Sequence, residues 1–99
     1  MALRLQLHQL LEDIVDHVYF QPPENIQLVY PCIIYSRDSA DTKFADDVPY
    51  SFTQRYQVTV IDRDPDSAIP AKVAALPRAS YNRFFAAENL NHDVFSLYF

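Results

Sequence analysis

The sequence predicts an α+β fold in which one antiparallel sheet of about four strands carries an N-terminal helix and a second helix on one face. Three patterns indicate this fold. Apolar residues recur every three or four positions near the N-terminus, they alternate with polar residues across 50–62, and two aromatic-rich runs follow residue 80. The 99 residues suit a single domain, residues 1–99.

The first element predicted is a helix over residues 1–18. One face carries an apolar stripe, and the opposite face is polar. Pro22 and Pro23 follow and favour extended backbone, so the helical region should end before them. The stripe consists of Leu3, Leu7, Leu10, Leu11, Ile14, Val15 and Val18.

Two strands are predicted next, over 27–36 and 50–62. Pro31 lies inside the first and cannot donate to a ladder, so that strand should be an edge or begin after Pro31. The second alternates cleanly and would span about 40 Å at roughly 3.3 Å per residue. That length exceeds what a small domain needs, and part of this strand is therefore expected to project as a hairpin.

Residues 37–49 separate these strands and form a polar, acidic segment. They are too many for a usual hairpin connection of two to five residues, so we expect a loop that is either mobile or functional. Phe44 stands alone among its polar neighbours. An exposed aromatic in such a loop indicates a partner that covers it.

The second half of the chain is predicted to add a helix and two strands. A turn over 62–67 leads into the helix, with Asp66 or Ser67 as N-cap, Pro70 in the first turn and Pro77 at its end. Strands over 81–87 and 93–99 are joined by residues 88–92. The element order is therefore α-β-β-α-β-β.

Composition excludes several functions. The chain has no glycine, so neither a P-loop nor a dinucleotide fingerprint can form. Turns with positive φ must use other residues, and the candidates are Asn25, Asn82, Asn89 and Asn91. The net charge of −5 argues against ordinary DNA binding, which needs a basic patch.

No catalytic or metal constellation is complete in the sequence. The run Asp62, Asp64, Asp66 resembles the start of a calcium loop, but Ser67 and Val73 stand where that loop needs glycine and glutamate. We therefore expect these aspartates to form turns.

The histidines and the cysteine also favour structural roles. His92 beside Asp93 lacks a nucleophile and an oxyanion donor set, so a local hydrogen bond is expected there. His8 and His17 point to opposite faces of a helix and cannot share a metal through it. Cys32 lies among apolar residues and is expected to be a buried thiol. The prediction is a protein without enzymatic activity, metal or cofactor.

The N-terminus lacks the apolar core of a signal peptide, and no apolar run approaches the roughly 18 residues of a membrane span. We therefore expect folding in a reducing cytoplasm and no membrane association.

The ordered motifs of the chain resemble those of tail terminator, or tail completion, proteins of siphophages. The resemblance lies in the N-terminal helix, in residues 30–35 (YPCIIY) before an acidic segment, in residues 56–67 (YQVTVIDRDPDS) and in the ending 89–99 (NLNHDVFSLYF). It implies a homo-oligomeric ring, expected to be a hexamer, that caps the tail tube, stops its growth and presents a docking surface to the head connector.

The resemblance further implies a structural virion protein of the tail or neck. Its partners would be the tail tube protein and a head completion protein, while DNA passes through the lumen without specific binding. The residues expected at protein interfaces are Asp41, Lys43, Phe44, Asp46, Asp47, Tyr50 and Arg55.

Three other functions remain open at this point. The chain could be an adaptor or regulatory module that binds proteins outside a virion. It could be a neighbouring head completion protein of the phage neck. A small metal-dependent enzyme is the third class, for which His92 would be the residue to test.

Overall fold

The computed structural model describes residues 4–45 and 48–99, with the side chains of 39–53 left outside the description. The chain forms two helices and five strands, and the strands make one sheet in the order β1-β2-β3-β5-β4. The bounds are α1 (Arg4–Glu12), β1 (Val18–Phe20), β2 (Cys32–Ala45), β3 (Val48–Asp62), α2 (Ile69–Ala74), β4 (Ala79–Ala87) and β5 (Leu90–Tyr98).

The α+β class is confirmed, but the sheet is mixed rather than antiparallel and has five strands rather than about four. The additional strand is β1, which pairs in parallel with β2 through Val18–Ile33, Tyr19–Ile34 and Phe20–Tyr35. All other neighbouring strands are antiparallel. A three-residue strand is too short to show alternation, and Val18 also fits the helical spacing of the residues before it.

The first helix is shorter than the predicted 1–18. It ends at Glu12, and the amide groups of Asp13 and Val15 still donate to the carbonyls of Gln9 and Leu11 in a closing turn. Val15 remains buried although it lies outside the helix. The apolar spacing therefore correctly marked Leu7, Leu11 and Val15 as buried, but Leu10 is 40% exposed and Leu3 lies outside the described residues. The spacing also overestimated the helix length.

Of the residues predicted as a loop, 37–49, those that the structure describes, 37–45 and 48–49, continue the two strands instead. β2 extends to Ala45 and β3 begins at Val48, with paired residues from Ser39–Arg55 out to Ala45–Val48. The loop prediction was wrong because a ribbon without a third strand needs no apolar alternation. β2 begins at Cys32, directly after Pro31, as one of the two predicted options required.

The core lies between the two helices and one face of the sheet. β2, β3 and β5 contribute alternate residues to it, which confirms the predicted alternation within 55–62. The main cluster comprises Leu7, Leu11, Val15, Ile33, Tyr35, Tyr56, Val58, Val60, Val73, Phe95 and Leu97. Because both helices contribute to this one cluster, they cover the same face, termed here the helix face; the other is termed the open face.

Tyr35 ties α1 to the sheet through a polar contact at the margin of the core. Its ring is fully buried, and Arg4 Nη1 donates to its hydroxyl oxygen at 3.1 Å. The same oxygen lies 2.6 Å from His8 Nδ1, which accepts from the hydroxyl in the neutral tautomer that carries its proton on Nε2. Burial raises the pKa of Tyr35, so the phenol stays protonated and available as a donor.

The second helix and the last turn differ in detail from their predictions. Ala68 is the N-cap of α2 and provides no side-chain cap, although Ser67 Oγ accepts from the Ile69 amide at 3.2 Å. β4 and β5 are joined by two residues rather than by 88–92. These residues, Glu88 and Asn89, have φ of 54° and 65°.

Positive φ at both central residues defines a type I′ hairpin turn. Of the four asparagines predicted to adopt positive φ, only Asn89 does. Gln21, Arg78 and Glu88 are the other described residues in that region.

Candidate functional site

The longest surface feature is a projecting hairpin, defined here as residues 38–45 and 48–54. β1 covers β2 only at Ile33–Tyr35, and β5 pairs with β3 only from Arg55 onward. In the described backbone, the two hairpin strands therefore pair only with each other, apart from the Gln54 carbonyl, which accepts from the Phe99 amide at 3.1 Å. About seven residues per strand extend the ribbon by roughly 20 Å, in keeping with principal dimensions of 51 × 25 × 23 Å.

Two register shifts bend the projecting hairpin, one between Arg37 and Ser39 and one between Lys43 and Phe44. Bulges of this kind increase the local twist and redirect a strand. Their positions at the base and near the tip set the angle at which the ribbon leaves the sheet.

Most of the interface residues predicted from the sequence fall on this hairpin. Asp41, Lys43 and Phe44 lie on β2 and Tyr50 lies on β3, so the backbone of all four residues belongs to the hairpin. Their side chains are outside the description. Asp46 and Asp47 lie outside the described residues. The seventh, Arg55, lies at the base of the hairpin.

Arg55 is held at this base by two neighbours. Its Nε lies 3.1 Å from Asp38 Oδ2, without the alignment of a hydrogen bond, so the contact is an ion pair. A hydrogen bond with Tyr98 is the main cause that raises the pKa of Arg55, with the Asp38 charge contributing. Both carriers of the ion pair remain about one third exposed. The ion pair thus fixes Asp38, which lies in the bulge of β2, beside Arg55, the residue at which the pairing of β3 with β5 begins.

The end of the β1–β2 ladder is closed by Gln21. Its amide nitrogen donates to the Tyr35 carbonyl, and its side-chain Oε1 accepts from the Arg37 amide at 3.1 Å. Beyond Arg37 no described strand continues along this side of β2. The outer edge of β2 over residues 38–45 is therefore open for pairing with another chain.

The opposite end of the sheet carries a second open edge, β4. This nine-residue strand is exposed almost throughout, and three aromatic side chains stand out on it. We term Tyr81, Phe84 and Phe85 the aromatic edge; they are 55%, 53% and 40% exposed. Exposed aromatic groups beside unpaired backbone are typical of surfaces that a partner covers.

Two rings of the aromatic edge, those of Tyr81 and Phe85, are held by contacts with β5. Tyr81 packs edge-on against Phe95 at 5.2 Å between centroids, and its hydroxyl donates to Asp93 at 2.9 Å. Phe85 stacks on His92 at 4.5 Å with an interplanar angle of 12°. These contacts orient the rings before any partner arrives, which lowers the entropic cost of binding.

The interface residues predicted from the sequence lie between Asp41 and Arg55 and do not include the aromatic edge. The available signal was the run from residue 79 to 87, which contains three aromatic residues, one arginine and neither proline nor lysine. Proline and lysine are the residues that usually protect an edge strand from pairing.

An apolar groove lies where α1, the end of α2 and the end of β5 meet. It has a volume of about 270 Å³. Arg78 stands at this groove with φ of 67° and places its guanidinium 5.8 Å from the Tyr98 ring. The lining residues are Leu7, Leu10, Leu76, Pro77, Arg78, Leu97, Tyr98 and Phe99.

The residues considered for catalysis make contacts within the fold, but the local hydrogen bond expected at His92 is not formed by Nδ1, which is buried without a hydrogen-bond partner among the described residues. His92 and Asp93 are consecutive on β5, so they point to opposite faces, and each contacts a different aromatic ring. They cannot act as one acid–base pair. His8 contacts Tyr35, while His17 uses its carbonyl to accept from the Ile33 amide.

The aspartates of the turn after β3 accept local hydrogen bonds, as predicted. Asp62 Oδ1 accepts from the Asp64 amide at 3.1 Å, and Asp64 Oδ1 accepts from the Asp66 amide at 2.9 Å. Within residues 4–45 and 48–99, as far as side chains are described, no three His, Cys, Asp or Glu side chains gather as metal ligands.

Cys32 is fully buried, as predicted. Burial, and secondarily the charge of Asp62, raise the pKa of this thiol to about 11. A thiol with that pKa is almost entirely protonated near neutrality and is a poor nucleophile.

No described helix is long and apolar enough to span a bilayer. No protein-family model matches the chain, and no curated protein sequence matches it.

Proposed function

We propose that this chain is a structural protein of a long-tailed phage, a tail terminator that assembles into a homo-oligomeric ring, expected to be a hexamer. The ring would cap the tail tube, stop its polymerisation and present a docking surface to the head completion or connector protein. The chain would then reside in the virion, at the junction of tail and neck, after assembly in the host cytoplasm.

The observation that carries this proposal is the pair of open strand edges at opposite ends of one small sheet. One edge belongs to the projecting hairpin and the other to β4. A protomer with two different edges on opposite sides can bind a neighbour through each of them. Repetition of such a heterologous contact gives a closed ring when the rotation between protomers closes.

The charge of the chain supports a channel role. Residues 38–49 contain four aspartates and one lysine, and the whole chain carries a net charge of −5. DNA moving through a ring must not be retained by its walls, and acidic surfaces repel phosphate groups. The contacts assigned above to His92, Asp93 and the aspartate turn support a structural function rather than catalysis.

The test is deletion of the gene in the phage that encodes it, followed by electron microscopy of the lysate. Termination predicts tails of abnormal length that lack heads, with capsids that are filled but tailless. Complementation with the intact gene should restore normal tails. Complementation with a chain whose residues 41–53 are replaced by Asn-Gly should not, because the projecting hairpin is then missing.

Two outcomes would contradict termination. Isolated tails of normal length would assign the chain to the head side of the neck. Infectious particles of normal shape in the deletion strain would remove it from the virion assembly pathway and favour a protein-binding adaptor.

A further inference from the structure

We propose that the ring is closed by strand pairing between unlike edges: β4 of one copy pairs with residues 38–45 of β2 in its neighbour. This inference rests on the proposed ring and specifies its interface. Each copy would contribute β4 to one neighbour and its projecting hairpin to the other, so the sheets would become continuous around the assembly.

The lengths of the two edges match. The open edge of β2 runs over eight residues, 38–45, and β4 over nine, Ala79–Ala87. Strands of such similar length can satisfy nearly all of each other's outward amide and carbonyl groups. The edge of β1 is a poorer partner because β1 has three residues.

The aromatic edge would be covered from both sides by such a strand. Phe84 is paired with Asp93, whose carboxylate reaches Tyr81 on the helix face, whereas Phe85 is paired with His92 on the open face. Exposed rings therefore flank β4 above and below the sheet. A strand added beside β4 would bring its own side chains onto both sets of rings and remove them from water.

Charge favours unlike edges over like ones. The segment 78–87 carries Arg78 and Arg83 and has no acidic residue, whereas residues 38–49 carry four aspartates and one lysine. Two copies of β4 paired with each other would bring arginines together, and two projecting hairpins would bring aspartates together. Contact between β4 and the hairpin instead places opposite charges near each other, which selects the head-to-tail arrangement.

Because β4 runs opposite to β2 in the sheet, the head-to-tail contact is antiparallel and brings residue 39 near residue 86. The experiment therefore uses two single-cysteine additions, Ser39→Cys on β2 and Ala86→Cys on β4, with one of the proteins carrying a mass tag. Each is treated with a short bis-maleimide alone and in an equimolar mixture, and cross-linked peptides are identified by mass spectrometry. Cys32 stays in place because it is buried, and the unmodified chain serves as the control.

The expected result is an intermolecular 39–86 cross-link in the mixture, at least tenfold more abundant than any 39–39 or 86–86 product from the separate proteins. Predominant 86–86 cross-linking would show β4 pairing with itself and overturn the proposal. Absence of any intermolecular cross-link at concentrations where the chain associates, or a chain that never associates, would also overturn it.

A charge exchange provides the second measurement. Arg83→Glu should weaken self-association by about tenfold, and addition of Asp41→Lys in the same chain should restore much of the loss. The matched control is Arg63→Glu, an exposed arginine that lies beside Tyr30 and away from both edges. Equal weakening by Arg63→Glu would reduce the effect to net charge and contradict a specific contact.

The two proposals fail separately. Rings that form without a 39–86 cross-link would reject this interface and leave tail termination standing. A 39–86 cross-link in a protein whose gene is dispensable for tail formation would reject termination and leave the interface standing.

Discussion

Removal of the projecting hairpin should abolish self-association and leave the fold intact. The change replaces residues 41–53 by Asn-Gly, so that the register-paired Ala40 and Gln54 are joined by a two-residue turn. The chain already contains such a connection, in which Glu88 and Asn89 join the paired residues Ala87 and Leu90. Asn-Gly is the preferred sequence for this turn.

The expected effect on stability is small. The removed residues pair only with each other in the described backbone, and a two-stranded ribbon without a supporting face is marginal in water. The entropic cost of ordering these residues and the stabilisation from their ladder hydrogen bonds therefore nearly cancel. The free energy of unfolding should change by less than about 1 kcal/mol. Val58→Ala, a fully buried core position, should by contrast cost about 2 kcal/mol.

The assay is urea unfolding followed by circular dichroism, at a concentration low enough for both proteins to be monomeric, together with light scattering at high concentration. The shortened chain should unfold cooperatively and remain a monomer where the intact chain associates. A loss of more than about 3 kcal/mol would show that the hairpin belongs to the folded core. Unchanged association would show that it is not an interface.

Three further predictions concern single residues. The free energy of unfolding of the native chain should fall as pH rises from 9 to 11, because the thiol of Cys32 has a pKa of 9.0 when unfolded and of about 11 when buried. The loss amounts to up to about 3 kcal/mol relative to the stability below pH 9. Cys32→Ala should remove this loss. An equal alkaline loss in the variant would contradict this. Tyr35→Phe should cost about 1–2 kcal/mol in chemical denaturation because Arg4 and His8 lose their shared partner, and a neutral result would deny the contact. Glu88→Asn should raise the midpoint of thermal unfolding, by about 0.5 kcal/mol in stability, because Asn tolerates the φ of 54° better; a lowered midpoint would argue against the type I′ turn.

The sequence was sufficient to predict elements that rest against the core. The alternation of 55–62 predicted β3, because one face is buried under the helices and the other is not. The spacing of Leu7, Leu11 and Val15 identified the inward-facing side of the N-terminal segment, since burial alone imposes that period.

The elements that were missed are those in which burial leaves no period. β1 has three residues and pairs with a strand that follows eleven residues later, so its signal is tertiary rather than local. The projecting hairpin has no third strand beside it, and its polar composition was interpreted as a loop. The expected projection of the long strand was nonetheless correct, because residues 48–54 of β3 extend beyond its pairing with β5.

The candidate site was predicted only in part for a related reason. Backbone edges are absent from a sequence until the strand order is known, and β4 became an edge only because β5 inserts between β3 and β4. The aromatic content of 79–87 indicated a strand, but not that its outer side would lack a neighbour. Arg55, predicted as an interface residue, lies at the base of the hairpin, whereas its ion pair with Asp38 depends on a bulge that composition does not predict.

Negative-stain electron microscopy of the purified chain at increasing concentration tests most directly whether the chain forms a ring through unlike strand edges. Closed rings with a central channel and a uniform subunit number are expected, and they should be lost when residues 41–53 are replaced by Asn-Gly. Two-fold dimers, open filaments, or particles that remain monomeric at all concentrations would contradict a ring formed by unlike strand edges.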